Sequence, residues 1–186
     1  MWKNRNRPDL PALCLGILVF ILDQASKQMA LAHLAFHEPV PVIPGFFNLT
    51  LLTNTGAAWG IMRDKGLWLT LLAAGALLFL ILNRRSFIQN CAIQATAYGL
   101  LLGGIAGNLT DRLVYGHVVD FLDFRFAGWP WPAFNLADSA ICCGVGLYLL
   151  NAARTSKQPM VTPGASEIPL SPGDKPPPQV LPDHTK

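Results

Sequence analysis

GLWLTLLAAGALLFLIL, residues 66–82, is an uncharged apolar run long enough to cross the hydrocarbon core of a membrane. A helix needs about 20 such residues, within a range of roughly 17 to 25, to span a bilayer. The whole chain fits this class, since 52% of its 186 residues are hydrophobic and only 13% are charged. A soluble domain carries about 25% charged residues. The composition therefore predicts an all-α membrane protein.

Three further apolar stretches predict helices of the same kind. Four transmembrane spans are expected, at about residues 10–36, 66–82, 87–109 and 136–152. The first span follows basic residues, as a signal peptide would, but no A-x-A-like cleavage site comes directly after it. Because three more spans follow as well, we expect the first to stay in the protein.

Basic residues indicate how the spans are oriented. They precede the first span, separate the second from the third and follow the fourth: Lys3, Arg5, Arg7, Arg84, Arg85, Arg154 and Lys157. Because cytoplasmic loops carry an excess of Lys and Arg, this side is predicted to be cytoplasmic. Both termini are then inside, and the loops 37–65 and 110–135 are outside.

The chain is expected to divide into a membrane domain and a tail. Residues 1–154 are predicted to form one four-helix transmembrane domain. Eight of the fifteen prolines lie after Lys157, where large apolar residues are scarce. Such a composition cannot bury a core, so residues 155–186 are predicted to be a disordered, Pro-rich cytoplasmic tail.

The two outer loops carry more than linker sequence. FFNLTLLTNT, residues 46–55, is partly alternating and predicts a short strand or hairpin, hence a small β-like element outside the membrane. Its apolar content suggests that it lies against the membrane surface. GWPWP, residues 128–132, adds two tryptophans near the fourth span, and Trp favours the membrane interface.

Polar residues within two of the spans need an explanation, because charged groups are costly in a bilayer. Asp23 and Lys27 are four residues apart and share a helical face. They are either a mutually neutralising structural pair or the support of a site near the outer surface. Asn108, Asp111 and Arg112 form a polar group at the outer end of the third span. These three residues either belong to a functional site or are simply the polar end of a helix that reaches water.

Besides Asp111, three aspartates stand in or beside the second outer loop: Asp120, Asp123 and Asp138. One interpretation of Asp138 is a helix cap, since Asp accepts hydrogen bonds from free N–H groups. Asn135, Asp138 and Ser139 nevertheless provide more capping groups than one helix end needs. On a strand, Asp120 and Asp123 would point to opposite faces. Spacing alone does not decide which of those two meets Asp138.

Two carboxylates that meet near a membrane interface favour acid–base hydrolysis, because a close pair retains one proton. One member deprotonates a water while the other polarises the scissile carbonyl. His33 and His37 could share a metal, but no H-E-x-x-H motif and no third ligand accompany them. The four cysteines predict small buried apolar residues rather than a disulfide or zinc site. No metal and no cofactor are expected, and the net charge of +3 does not suggest nucleic acid as a partner.

Five short motifs closely resemble those of the bacterial lipoprotein signal peptidase family, also called signal peptidase II. In chain order they are DQASK (23–27), NTGAAWG (54–60), GNLTDR (107–112), VVDF (118–121) and FNLADSAI (134–141). The similarity covers roughly residues 10–153. The resemblance implies a metal-free aspartyl endopeptidase of the bacterial cytoplasmic (inner) membrane, a multi-pass protein whose site lies near the extracytoplasmic face. Its partners would be diacylated prolipoprotein substrates and membrane lipids, and the cut falls just before the lipidated cysteine.

The resemblance also implies roles for individual residues. Asp120 and Asp138 match the catalytic pair, which leaves Asp123 outside it. Further residues match positions that shape or orient the site or contact substrate: Asp23, Lys27, Asn54, Gly56, Asn108, Asp111, Arg112 and Asn135.

A different class of protein also places acids in membrane spans. A small transporter uses them as a proton relay. Such a protein would carry its acids near the middle of the bilayer and would show repeat symmetry. Here most of the acids cluster at the outer end, and no repeat is visible, so the sequence favours the hydrolase.

Overall fold

Helices account for the apolar stretches of the computed structural model, which describes residues 9–56, 66–89, 92–126 and 128–155. These residues form the helices α1 Asp9–His33, α2 Gly66–Leu82, α3 Arg84–Phe87, α4 Ala92–Tyr115 and α5 Leu136–Thr155. The strands are β1 Val40–Ile43, β2 Phe47–Asn54, β3 Val118–Phe126 and β4 Trp129–Pro130. The basic residues at 3–7, most of the 54–60 motif and the predicted tail from 156 onward lie outside the described residues.

Helix α4 is central, because α1, α2 and α5 all pack against it. Glycines permit the close approach on two of its sides. A Cβ atom added at Gly99 would come within 2.6 Å of the backbone oxygen of Ala12 on α1. One added at Gly104 would come equally close, 2.6 Å, to the backbone oxygen of Ala137 on α5. Small residues at such positions let helices pack backbone to backbone.

The outer surfaces of the helices are apolar, as expected of a protein that faces lipid. Two helices, Asp9–His33 and Leu136–Arg154, are long and apolar enough to cross a membrane, and Gly66–Leu82 is a shorter apolar helix. Leu10, Leu72 and Leu149 are examples of large side chains that are more than half exposed. Cys14, Cys142 and Cys143 are also exposed, which corrects the expectation that they are buried. They lie on the outward faces of α1 and α5. A Cys side chain behaves as a small apolar group, so contact with lipid is favourable there.

The boundaries of three helices differ from those expected. Helix α1 ends at His33 instead of 36, because Phe36 forms a β-bridge with Leu51. Helix α4 begins at Ala92 instead of 87 and continues to Tyr115 instead of 109. It can continue through its polar residues because Asn108 and Asp111 are buried against other elements. Helix α5 ends at Thr155 instead of 152.

The segments that follow α1 and α4 build a single antiparallel sheet in the order β1-β2-β3-β4. Strand β2 pairs with β3 so that Leu52 lies opposite Asp120 and Asn54 opposite Val118. The sequence indicated a strand or hairpin in the first loop alone, whereas the longest strand, β3, comes from the second loop. Val119 and Phe121 of β3 pack with Ala30 of α1, which fixes the sheet to the outer end of that helix.

Candidate active site

Asp120 and Asp138 are joined through one buried residue, Asn135. The side-chain amide of Asn135 donates to Asp120 Oδ1 over 2.8 Å. Its backbone N–H donates to Asp138 Oδ2 over 3.2 Å. Asn135 is 0% exposed, whereas Asp138 is only partly buried. The structure thereby brings together a strand residue and a residue in the first turn of α5.

Asp138 also caps the helix that carries it. Asn135 Oδ1 accepts a hydrogen bond from the backbone N–H of Asp138 over 2.9 Å, while Asp138 Oδ2 accepts from the backbone N–H of Asn135. This reciprocal arrangement is a capping box, in which two otherwise free N–H groups are satisfied. Capping uses one oxygen of Asp138 and leaves Oδ1 directed at other groups. The two interpretations of Asp138 are therefore compatible.

Two more asparagines complete the hydrogen bonding of the pair. Asn108 Nδ2 donates to Asp138 Oδ1 over 2.7 Å. Asn54 Nδ2, at the end of β2, donates to Asp120 Oδ2 over 3.0 Å. The backbone N–H of Gly56 donates to Asn54 Oδ1 over 3.0 Å, which orients that amide. Each of the four carboxylate oxygens thus accepts a hydrogen bond, and both carboxyl groups are fixed.

Burial raises the pKa of Asp120 to about 7 from its ordinary value of 3.8. Desolvation is the largest cause, because it disfavours the charged form, and the neighbouring charge of Asp138 acts in the same direction. The hydrogen bonds from Asn54 and Asn135 lower the pKa again, though by less. Near neutral pH this carboxyl group can therefore both hold and release a proton.

Asp123 points to the other face of β3. Its Oδ2 accepts hydrogen bonds from Thr50 Oγ1 over 3.0 Å and from Asn48 Nδ2 over 3.3 Å. Arg125 lies 3.7 Å away and is half exposed. These contacts pin β2 to β3 on the face opposite the Asp120–Asp138 pair.

A buried ion cluster lies beneath the pair. Lys27 Nζ is 2.9 Å from Asp23 Oδ2 and 2.9 Å from Asp111 Oδ2, and it donates to Asn108 Oδ1 over 3.0 Å. Lys27 is 1% exposed and Asp23 is 0% exposed. Among the described residues, every buried side-chain nitrogen and oxygen has a hydrogen-bond partner. The cluster is therefore fully satisfied, as a buried charge must be to be tolerated.

Each carboxylate of this cluster also holds the backbone beside one member of the pair. Asp23 Oδ1 accepts from the N–H of Ala137, the residue before Asp138, over 2.8 Å. Asp111 Oδ2 accepts from the N–H of Val119, the residue before Asp120, over 3.1 Å. The two segments that carry the pair are thus tied to α1 and α4 through one cluster.

Two further residues lie beside this arrangement. Arg112 donates to the backbone oxygen of Asn108 over 3.3 Å, and its charge interacts with those of Asp111, Asp120 and Asp138. Gln24, which the sequence analysis passed over, donates from Nε2 to the ion cluster. Its position directly after Asp23, within the DQASK motif, is the sequence sign that points to it.

The two histidines suggested as a metal pair do not share a helical face. Helix α1 ends at His33, and His37 follows in a left-handed backbone conformation with φ 63°. His33 Nδ1 lies 2.9 Å from the backbone oxygen of Met29. Within residues 9–56, 66–89, 92–126 and 128–155, no three His, Cys, Asp or Glu residues are grouped as metal ligands would be.

Comparison with known proteins gives consistent results. The family model described as signal peptidase (SPase) II matches residues 15–154. The lipoprotein signal peptidase of Yersinia enterocolitica serotype O:8 / biotype 1B is 44% identical over 142 residues, which are 74% of this chain and 83% of that protein. The lipoprotein signal peptidase of Yersinia pestis strain Pestoides F is 46% identical over the same 142-residue length and the same shares.

Two solved structures are similar as well. A bacterial membrane enzyme determined by the in meso method at 2.3 Å resolution has a TM-score of 0.73 and 32% identity, over 79% of this chain and 90% of that one. A second, at 1.9 Å resolution, has a TM-score of 0.69 and 32% identity, over 76% and 92%. Because the family model covers most of the chain and the relatives exceed 40% identity, this chain belongs to the signal peptidase II family of aspartic-type proteases.

Proposed function

We propose that this protein is an intramembrane aspartyl endopeptidase that removes the signal peptide from diacylglyceryl-modified prolipoproteins. It cuts just before the lipidated cysteine, and Asp120 and Asp138 together activate the attacking water. The observation that carries this proposal is the bridge through the buried Asn135, which is hydrogen-bonded to both carboxyl groups.

The reaction uses a single proton held by the pair. The ionised carboxylate takes a proton from water, and the water oxygen attacks the scissile carbonyl carbon, whose oxygen the protonated carboxyl group polarises. The tetrahedral intermediate then collapses as a proton passes to the leaving nitrogen and the C–N bond breaks. The products are the carboxyl end of the signal peptide and a free amino group on the lipidated cysteine. The raised pKa of Asp120 supports this scheme, because it keeps one proton on the pair near neutral pH.

The surrounding residues orient the pair and do not react. Asn54, Asn108 and Asn135 supply the amide donors that fix the four carboxylate oxygens, and Gly56 orients Asn54. The carboxylates of Asp23 and Asp111, joined by Lys27, hold the backbone next to the pair. Arg112 contributes a positive charge that interacts with both carboxyl groups.

The proposed setting is the bacterial cytoplasmic membrane, crossed four times with both termini inside. The apolar surfaces of α1, α2 and α5 support this, as do the basic residues at the predicted inner side. The sheet and the pair lie at the same end of the helices, which the proposal assigns to the extracytoplasmic face. There the acyl chains of a substrate remain in lipid, and each buried CH₂ adds about 0.8 kcal/mol to binding. We propose no metal, cofactor or nucleic acid as partner, and we propose that the tail from 155 to 186 is dispensable.

Cleavage of a diacylated prolipoprotein by the purified enzyme in detergent tests the catalytic assignment. We expect Asp120→Asn and Asp138→Asn each to abolish turnover while insertion and substrate binding persist, because Asn cannot exchange the proton. The double variant should be no worse than either single one, since residues that act as a unit are not additive. Asp123→Asn is the matched control on the same strand and should retain substantial activity.

The opposite pattern would contradict the assignment of Asp120 and Asp138 as the catalytic pair. An inactive Asp123→Asn beside an Asp120→Asn that still turns over would move catalysis to the other face of β3. A zinc chelator should have no effect on the wild-type enzyme. Strong inhibition by the chelator would instead direct attention to His33 and His37.

A further inference from the structure

Gln24 bridges the two carboxylates of the buried ion cluster. Its Nε2 lies 3.0 Å from Asp111 Oδ1 and 3.2 Å from Asp23 Oδ2. The same nitrogen lies 3.2 Å from the backbone oxygen of Gly107 on α4. An amide nitrogen has two N–H groups, so two hydrogens serve three acceptors. Gln24 therefore links α1 to α4 at the point where the cluster forms.

The formal charges of the cluster explain why such a donor is needed. Asp23 and Asp111 share one ammonium group, that of Lys27, at 2.9 Å from each. Two carboxylates and one ammonium leave one negative charge within this buried cluster, and the charge of Arg112 interacts with Asp111 from outside it. An uncompensated buried charge is costly, and hydrogen bonds to the charged groups reduce that cost. The Gln24 amide supplies such bonds without adding another ion.

The bridge has a consequence for the catalytic pair, because both carboxylates hold backbone N–H groups next to it. Asp23 holds Ala137, directly before Asp138, and Asp111 holds Val119, directly before Asp120. A change in the separation of the two carboxylates would therefore move the two segments that carry the pair. Small misplacements of reacting groups have large effects on rate.

We propose that Gln24 is a positioning residue for the reaction, which fixes the separation of Asp23 and Asp111 and through them the geometry of the catalytic pair. The inference rests on the proposed roles of Asp120 and Asp138. Gln24 touches neither of those residues in its hydrogen bonding, so its effect is exerted on turnover and not on substrate binding.

The first test compares two glutamines on one face of α1. Gln24→Leu removes the donor, and we expect kcat to fall on the order of ten-fold with KM changed by less than about two-fold, because geometry is lost while the binding surface is kept. Gln28→Leu is the matched control. Gln28 lies one turn further along α1 and donates to Tyr115 Oη over 2.9 Å at an exposed position away from the cluster. Its replacement should leave kcat unchanged.

The second test uses Gln24→Glu, which keeps the size and shape of the side chain. A protonated carboxyl group can donate one hydrogen bond to the cluster, whereas an ionised one adds a third negative charge. The kcat of this variant relative to wild type should therefore rise as the pH is lowered from about 8 to about 6. Gln24→Leu has no such group, and its kcat relative to wild type should stay low throughout.

Several outcomes would overturn the proposal. Unchanged kcat in Gln24→Leu, or a change confined to KM, would remove Gln24 from the positioning of the pair. A pH-independent loss in Gln24→Glu would do the same, and that variant decides the question alone if the leucine variant fails to fold. If Asp120→Asn and Asp138→Asn remain active, the proposed catalytic pair itself is wrong. If both are inactive and Gln24→Leu is normal, only the inference about Gln24 fails.

Discussion

Replacing Asn54 by leucine should move the alkaline limb of the pH–rate profile to higher pH. Asn54 Nδ2 donates to Asp120 Oδ2 over 3.0 Å and lowers the pKa of that carboxyl group. Removing the donor leaves the ionised form of Asp120 less stable, so the proposed catalytic pair holds its last proton to higher pH. Since the active form retains that proton, activity should persist to higher pH in the variant.

The size of the shift follows from the strength of the bond. A hydrogen bond to a charged group contributes about 1.5–3 kcal/mol, and one pKa unit corresponds to about 1.36 kcal/mol. The lower end applies, because Asn135 continues to donate to Asp120 over 2.8 Å and Asn54 is only partly buried. From the wild-type pKa of about 7, we expect the alkaline limb to rise by about one unit.

The assay is kcat/KM for a diacylated prolipoprotein across pH, because this parameter reports ionisations of the free enzyme. Asn48→Leu is the matched control. Asn48 lies on the same strand and donates to a carboxylate in the same way, but the acceptor is Asp123 Oδ2 at 3.3 Å. Its replacement should leave the limb in place. An unmoved or lowered limb in Asn54→Leu, or equal shifts in both variants, would refute the reasoning.

Other variants test the cluster, the burial of the pair and the packing of α4. Lys27→Met leaves two buried carboxylates without their ammonium and should destabilise the protein by about 3–5 kcal/mol. Arg125→Met breaks a half-exposed ion pair and should cost less than about 1 kcal/mol. Equal losses in the thermal-unfolding midpoint of the two variants would contradict this expectation. Asp120→Asn should raise that midpoint more at pH 8 than at pH 5. The wild-type pKa is raised from 3.8 to about 7, so folding stability falls as pH rises through this window, by about 4 kcal/mol at most; a pH-independent difference would count against it. Gly107→Ala places a methyl group against a buried carboxylate oxygen of the cluster and should lower both activity and stability, whereas Gly75→Ala meets nothing within 4 Å and should be neutral.

Sequence reasoning predicts the helices well, because their signal is local. The run at 66–82 corresponds to α2 with the same bounds, since it is apolar throughout and followed by Asn83. The extent of α4 was underestimated, because Asn108 and Asp111 look like a helix end in the sequence. Their polar groups are satisfied by Lys27, Asp138 and the backbone of Val119, which are distant in the chain.

The sheet and the choice of carboxyl groups depend on contacts that spacing does not encode. Strand β3 pairs with β2 across more than sixty residues of sequence, as in Asn54↔Val118. Periodicity shows that Asp120 and Asp123 face opposite ways on a strand, but it does not say which face meets α5. The contacts of Asn135, which precedes α5 and donates to Asp120 Oδ1 and to Asp138 Oδ2, identify that face.

The ion pair within α1 bears on how the protein is assembled. Asp23 and Lys27 are four residues apart on one helix and 2.9 Å from each other, so α1 can enter the bilayer as a locally neutral segment before any other helix arrives. Asp111, Val119 and Ala137 join this pair only after the later parts of the chain have been made and translocated. The geometry of the proposed catalytic pair is thus completed last, and we expect an incomplete chain in the membrane to lack protease activity.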